Sequence, residues 1–338
     1  MSVGDDRKPR LATWRGLGTA HFLLVPGLVP DGPETFARQM RLMRRHGDVT
    51  VMTYPHGVFC LEATLDTMRR FVQEAHNAAR EPVLVGASVG GGFCLELLRR
   101  AREARSELPL AAVILISPMT CADDLSPLLR RLLVPILAAP DLRASEQALE
   151  RGRTFFRALA NRGATRDAAP RIWRRWAHGL APRFSRPIGE ERLRARIART
   201  LENISVTGGI DRCRAIAQLG GLRSTPRAAA LTPAPTLILW GSKERHTLDM
   251  ESPGAAELSR PDTAVRRFPR VEVRWVYDHD GGEVPHASLL LHHRAFNAAL
   301  GAFLKRQVPA LRRRRLPFTT SGLGRMAFVS AETAPTPT

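Results

Sequence analysis

The stretch that decides the fold is EPVLVGASVGGGFCLELLRRA, residues 81–101. An apolar run through Val83, Leu84 and Val85 meets Gly86-Ala87-Ser88-Val89-Gly90, and behind the glycines the apolar residues fall at helical spacing. A buried strand therefore turns into a helix with one serine at the turn. A turn sharp enough to project that side chain forces its central residue into a strained backbone conformation, and the residues two positions away come too close for a side chain. Gly86 and Gly90 meet that need. The Ser88 hydroxyl then stands above the carboxyl edge of the sheet, where the N-terminus of the following helix offers N–H groups to developing negative charge. The plainer readings are a glycine-rich turn with a capping serine and a phosphate-binding loop. No Gly-Lys-Ser/Thr follows, which argues against a Walker loop.

Outward from this turn the same rhythm recurs. HFLLVPG (21–27), VTVMTYP (49–55), PVLVGAS (82–88), AAVILISP (111–118), PTLILWG (235–241) and VEVRWVY (271–277) read as strands. Between them lie helical patterns. Pro33 opens one with Phe36, Met40 and Met43 on one face, and Leu61, Leu65, Met68 and Val72 mark another. A last helix is expected from about Ala287 to Lys305. Strands that are apolar throughout and alternate with helices mean a mostly parallel sheet covered on both faces.

Residues 119–232 break the rhythm and hold no convincing strand. They carry arginine-rich helical patterns with aromatic residues at Phe155, Phe156, Trp173, Trp176 and Phe184, and read as a helical insertion over the carboxyl ends of the strands. This segment has 21 Lys+Arg against 10 Asp+Glu, so it holds +11 of the net +19 charge. The expected organisation is an N-terminal extension (1–20), a core in two pieces (21–118 and 233–305), the helical lid (119–232), and a basic tail (306–338). The tail carries Arg312 to Arg315, and its composition is that of a disordered segment.

Composition narrows the function classes. At 338 residues, 44% apolar and 25% charged, the chain has ample material for a core. There is no run of about 18 uncharged apolar residues to suggest a transmembrane helix. The first residues, MSVGDDRKPRLATWRG, lack the apolar region of a secretory signal. Cys60, Cys94, Cys121 and Cys213 are scattered without metal-site spacing and fit reduced thiols, so a cytoplasmic protein without metal or cofactor is expected. Lysine occurs only at positions 8, 243 and 305, so the positive charge is nearly all arginine. With the abundant alanine, this pattern fits codon bias as well as it fits weak contact with an anionic membrane surface. No nucleic-acid-binding motif accompanies it, which disfavours that partner.

A serine nucleophile needs a base, and the base an orienting acid. After LILWG comes SKERHTLD, where Glu244 lies three residues past the strand-terminal glycine and Asp249 five residues later. After VRWVYD comes HDGGEVPHASLLLHH. His286, just past a proline and a glycine-rich loop, is the candidate base. His279 is the alternative, and His292 and His293 fall inside the expected helix.

These features resemble the α/β-hydrolase superfamily over about residues 21–305, the insertion apart. The elbow Gly-Ala-Ser-Val-Gly-Gly and the PHASLL helix start match, and LILWGSKE is similar to the acid loop with Glu244 where Asp is usual. LLVPGL resembles the first-strand loop, with Pro26 replacing a common His. The resemblance implies a sheet of about six to eight strands with a helical lid between the fourth and fifth strands named above. It implies a triad of Ser88, Glu244 and His286, and oxyanion donors from the backbone N–H groups of Val89 and Leu28. GGIDRCRAIAQLGGL (208–222) looks like the helix that returns the chain to the core. The first two antiparallel strands of the full fold are not evident, so a trimmed sheet is expected. The implied activity is cleavage of a small-molecule carboxylic ester or thioester, with an apolar acyl group, through an acyl-enzyme. A haloperoxidase-like member with the same triad and a non-catalytic or membrane-surface binding protein on the same fold are the alternatives. An aspartate-nucleophile epoxide hydrolase or dehalogenase is disfavoured by Ser88.

Overall fold

The computed structural model describes residues 7–138, 143–154, 195, 198–222 and 230–308. Seven strands form one sheet in the order β1-β3-β2-β4-β5-β6-β7. They are β1 (Arg10–Trp14), β2 (Ala20–Val25), β3 (Gly47–Thr53), β4 (Glu81–Ala87), β5 (Ala112–Ile116), β6 (Thr236–Gly241) and β7 (Val271–Val276). All pairings are parallel except β1 with β3. The six strands read from apolar runs are β2 to β7.

The seventh strand was not foreseen. Residues 1–20 read as an extension, yet Arg10–Trp14 pairs antiparallel with β3, Leu11 opposite Met52 and Trp14 opposite Val49. RLATW is exposed along its whole length, so it carries no apolar run to announce it. Backbone pairing and the Thr13–Thr50 side-chain hydrogen bond hold it instead.

Side chains alternate between the two faces of the sheet, as a pleated strand requires. Leu23, Leu84, Val113, Ile238 and Trp240 face one apolar layer, which includes residues of α3 (Leu61–Asn77) and α4 (Val89–Glu103). Phe22, Leu24, Val83, Ile114 and Leu237 face the other, with Phe296, Leu300 and Phe303 of the last helix, His293–Gln307. The pattern opened by Pro33 resolves into two short helices, α1 (Gly32–Thr35) and α2 (Met40–Met43).

The described residues between β5 and β6 include several helical stretches. Pro127–Leu137 is capped by Ser126, whose hydroxyl accepts from the Leu129 N–H. Residues 143–154 are helical, and Val206–Gln218 (hereafter the return helix) contains most of the segment expected to bring the chain back to the core. Phe155, Phe156, Trp173, Trp176 and Phe184, read as lid aromatics, lie outside the described residues, as does the tail beyond residue 308.

The chain runs from β2 to β3 on one side and returns to β4 on the other. That reversal opens a crevice at the carboxyl ends of β2 and β4, the usual place for a ligand in such a sheet. Ser88 sits there.

Candidate active site

Ser88 follows β4 directly, with φ 53° and ψ −121°, and α4 begins at the next residue. Positive φ in a non-glycine residue is strained and persists only when its surroundings enforce it. Here the Ser88 N–H donates to the Ile116 carbonyl, and the Ser88 carbonyl accepts from Gly92 and Met119. The flanking glycines are needed for space. A Cβ on Gly86 would lie 2.5 Å from the Gly90 carbonyl oxygen, and one on Gly90 would lie 2.2 Å from that of Val25.

His286 Nε2 lies 2.8 Å from Ser88 Oγ, and its Nδ1 lies 2.5 Å from Glu244 Oε2. An ionised carboxylate only accepts, so the geometry requires Nδ1 to carry a proton toward Glu244 and leaves Nε2 to accept from the serine. Glu244 is buried at 1% exposure. Its other oxygen, Oε1, accepts from the Gly241 N–H at 2.7 Å and from the Ser117 hydroxyl at 2.5 Å. Ser117 Oγ also accepts from the Ala287 N–H at 3.0 Å, so one buried hydroxyl ties the Glu244 side chain to the residue after His286.

The two loops that carry Glu244 and His286 are joined at the backbone. Lys243 N–H donates to the Val284 carbonyl, Val284 N–H donates to Ser242 Oγ, and Lys243 pairs with Glu283. His286 itself lies on a turn, because the last helix starts only at His293. The expectation that His286 opens that helix is therefore corrected. Glycine and proline in DGGEVP keep the preceding segment irregular.

The alternative residues lie elsewhere. Asp249 is partly exposed and pairs with Arg130 at 3.5 Å. His279 is exposed and its ring meets the Asp278 carboxylate at 2.9 Å. Asp278, His279 and Asp280 bring ligand atoms within 4.8 Å of one another, on an exposed loop where acidic groups need no ion.

Val89 is the first residue of α4, so its N–H has no acceptor within the helix. The loop after β2 approaches Ser88 closely: a Cβ on Gly27 would be 3.4 Å from Ser88 Cβ. Leu28 follows Gly27 and also lines an apolar cavity of about 110 Å³. Among the described residues this cavity is walled by Leu129, Leu133 and Ile136 from the helix Pro127–Leu137, by Leu149 and Leu201, and by Ile216 from the return helix.

Three residues bonded to this group or to the loop after β2 were not read from sequence. Ser117 is one, and its only sequence signal is its place at the end of β5. Tyr54 and Arg212 are the others: the Tyr54 hydroxyl donates to the Pro26 carbonyl, and Arg212 Nη1 donates to the Leu28 carbonyl.

A sequence profile described as "Alpha/beta hydrolase family" matches residues 12–299. The chain belongs to the alpha/beta hydrolase family. Solved hydrolases of this architecture resemble it at low identity. A thermophilic esterase from Thermogutta terrifontis is 17% identical, with a TM-score of 0.56 and coverage of 89% of this chain and 94% of that one. An esterase from Exiguobacterium antarcticum is 14% identical, with a TM-score of 0.55 and coverage of 88% and 96%. A hydrolase from Pseudomonas aeruginosa PA01 is 15% identical, with a TM-score of 0.53 and coverage of 90% and 97%. At such identities the likeness speaks for the fold. No curated protein matches the sequence. As a member of this family the chain has the fold of a hydrolase, and no helix among its described residues is long and apolar enough to cross a membrane.

Proposed function

We propose that this chain is a serine hydrolase that cleaves a carboxylic ester or thioester with an apolar acyl group. The observation that carries the reading is the continuous hydrogen-bond chain from Ser88 through His286 to buried Glu244.

In this mechanism the Ser88 oxygen attacks the carbonyl carbon while His286 Nε2 takes its proton. Glu244 fixes the imidazole's orientation and supports its positive charge. The tetrahedral oxyanion is met by the N–H groups of Val89 and Leu28, fixed donors that need no reorganisation as charge develops. Collapse expels an alkoxide or thiolate, which His286 protonates. Water then attacks the acyl-serine with His286 again as base, releasing the acid and free Ser88. The acyl chain lies in the cavity beside Leu28, whose walls are almost wholly apolar.

A series of p-nitrophenyl esters and acyl thioesters tests this. Each methylene buried in the cavity adds about 0.8 kcal/mol, so kcat/KM rises with acyl length and falls once the cavity is full. Ser88→Ala lowers turnover by about a thousandfold or more at every chain length. Wild-type turnover in that variant would end the proposal, and a flat length profile would end the role given to the cavity.

A further inference from the structure

The N–H assigned above to the oxyanion belongs to the peptide between Gly27 and Leu28. That loop is held at both neighbouring carbonyls. The Pro26 carbonyl accepts from the Tyr54 hydroxyl at 2.8 Å. The Leu28 carbonyl accepts from Arg212 Nη1 at 2.8 Å, and Arg212 Nη2 donates to the Pro55 carbonyl at 3.2 Å. The guanidinium carbon stands 5.6 Å from the centre of the Tyr54 ring, so the two residues also touch each other.

Arg212 is 2% exposed, a costly place for a permanent charge. Its acidic partner, Asp31, is 3.9 Å away and is shared with His56 at 2.8 Å. Asp31 supports this charge at 3.9 Å without a hydrogen bond, while the N–H groups of the guanidinium fork are taken by two backbone carbonyls. Burial holds the Tyr54 hydroxyl well above its ordinary pKa, so it remains a donor.

Arg212 reaches the loop from the return helix, and one face of that helix rides on the segment after β3. Ser205 N–H donates to the His56 carbonyl, and Ser205 Oγ donates to that of Gly57. A Cβ on Gly208 would be 2.2 Å from the His56 carbonyl oxygen, and Asp211 accepts from the Phe59 N–H. Positions 205, 208, 211 and 212 lie on one side of a helix. The helix that walls the acyl cavity through Gly209, Cys213 and Ile216 therefore also holds the oxyanion loop.

We propose that Tyr54 and Arg212 are positioning residues that clamp the Gly27–Leu28 peptide so that its N–H is aimed at the oxyanion, and that Arg212 couples the return helix to this donor. The proposal rests on the serine-hydrolase reading. It differs from a packing role in what it affects: a clamp on an oxyanion donor stabilises the transition state, and because Arg212 also lines the cavity while Tyr54 does not, Tyr54→Phe carries the distinction from acyl binding.

The test uses the full chain with Tyr54→Phe, Arg212→Lys and Arg212→Met. Tyr54→Phe removes one oxygen and keeps the ring. Four quantities are measured: kcat and KM on one p-nitrophenyl ester, the rate of labelling by a fluorophosphonate, the affinity of an alkyl boronic acid, and the melting temperature. Loss of a whole oxyanion donor costs about 10²–10³ in kcat, and a loosened one is expected to cost about tenfold. Tyr54→Phe should show that fall in kcat, labelling and boronate affinity together, with KM within about twofold. Arg212→Lys, which reaches one carbonyl, should retain more activity than Arg212→Met. Kinetics in Tyr54→Phe and Arg212→Lys matching wild type, a loss wholly in KM, or a loss that follows melting temperature would overturn the clamp. A reactive wild type with insensitive variants overturns it alone; a wild type that neither labels nor turns over overturns the hydrolase reading with it.

Discussion

At Ser88 the backbone is bent to φ 53° for the sake of one hydroxyl. Such a conformation costs about 1–3 kcal/mol in a residue with a Cβ and little in glycine. Ser88→Gly and Ser88→Ala both lose the contact with His286, so the difference between them reports the strain. Chemical denaturation should find the glycine variant about 1 kcal/mol more stable than the alanine variant, with both inactive. Equal stabilities would mean that the elbow stores no strain. Ser88, Glu244 and His286 were legible because each follows a strand in a stretch with a recognisable local pattern. Ser117, Tyr54 and Arg212 were not, since their meaning lies in loop pairing: Ser117 spans from Glu244 to Ala287, and Arg212 meets Leu28 across 184 positions of chain. Glu244, where the resemblance has aspartate, has its second oxygen held by Ser117 and Gly241.

Among the elements, α4 carries the most consequence, because its first residues support Ser88 and its interior holds a buried charge. Glu96 is 3% exposed. Burial alone would raise its pKa, but hydrogen bonds from Arg99 and Arg100 together with their charges outweigh burial and hold the carboxyl below its ordinary value. A carboxylate with a depressed folded-state pKa contributes stability above its unfolded value of about 4.3, and that contribution is lost as pH falls through the folded value. Glu96→Gln should therefore be about 2 kcal/mol less stable at neutral pH, with the gap to wild type closing below about pH 4. Guanidinium unfolding at stepped pH checks this, and a constant gap would contradict it. Strand β1 is silent in sequence because its exposed residues have no apolar face to read, whereas β2 to β7 are apolar because helices cover both sides of the sheet. The start of the last helix was misplaced for a related reason. ASLLLHH has helical composition, but its Ser117-bonded entry through Ala287, at φ 43°, belongs to the turn that delivers His286.

For the whole molecule, a parallel sheet aims the ends of β4, β5, β6 and β7 at one edge, and the loops after them bring Ser88, Ser117, Glu244 and His286 into a single hydrogen-bonded group. Apolar side chains from the helices between β5 and β6 wall the cavity beside Leu28, and the net charge of +19 is nearly all arginine, with +11 of it in residues 119–232. Everything in this account depends on Ser88 being an activated nucleophile, and that can be measured without knowing the substrate. Intact-mass spectrometry of the full chain after treatment with a fluorophosphonate, alongside Ser88→Ala, reads it directly. A single phosphonyl adduct is expected on the wild type, located by proteolysis to the segment containing Ser88, and no adduct on the variant. An unmodified wild type, or a variant labelled as readily as the wild type, would contradict it.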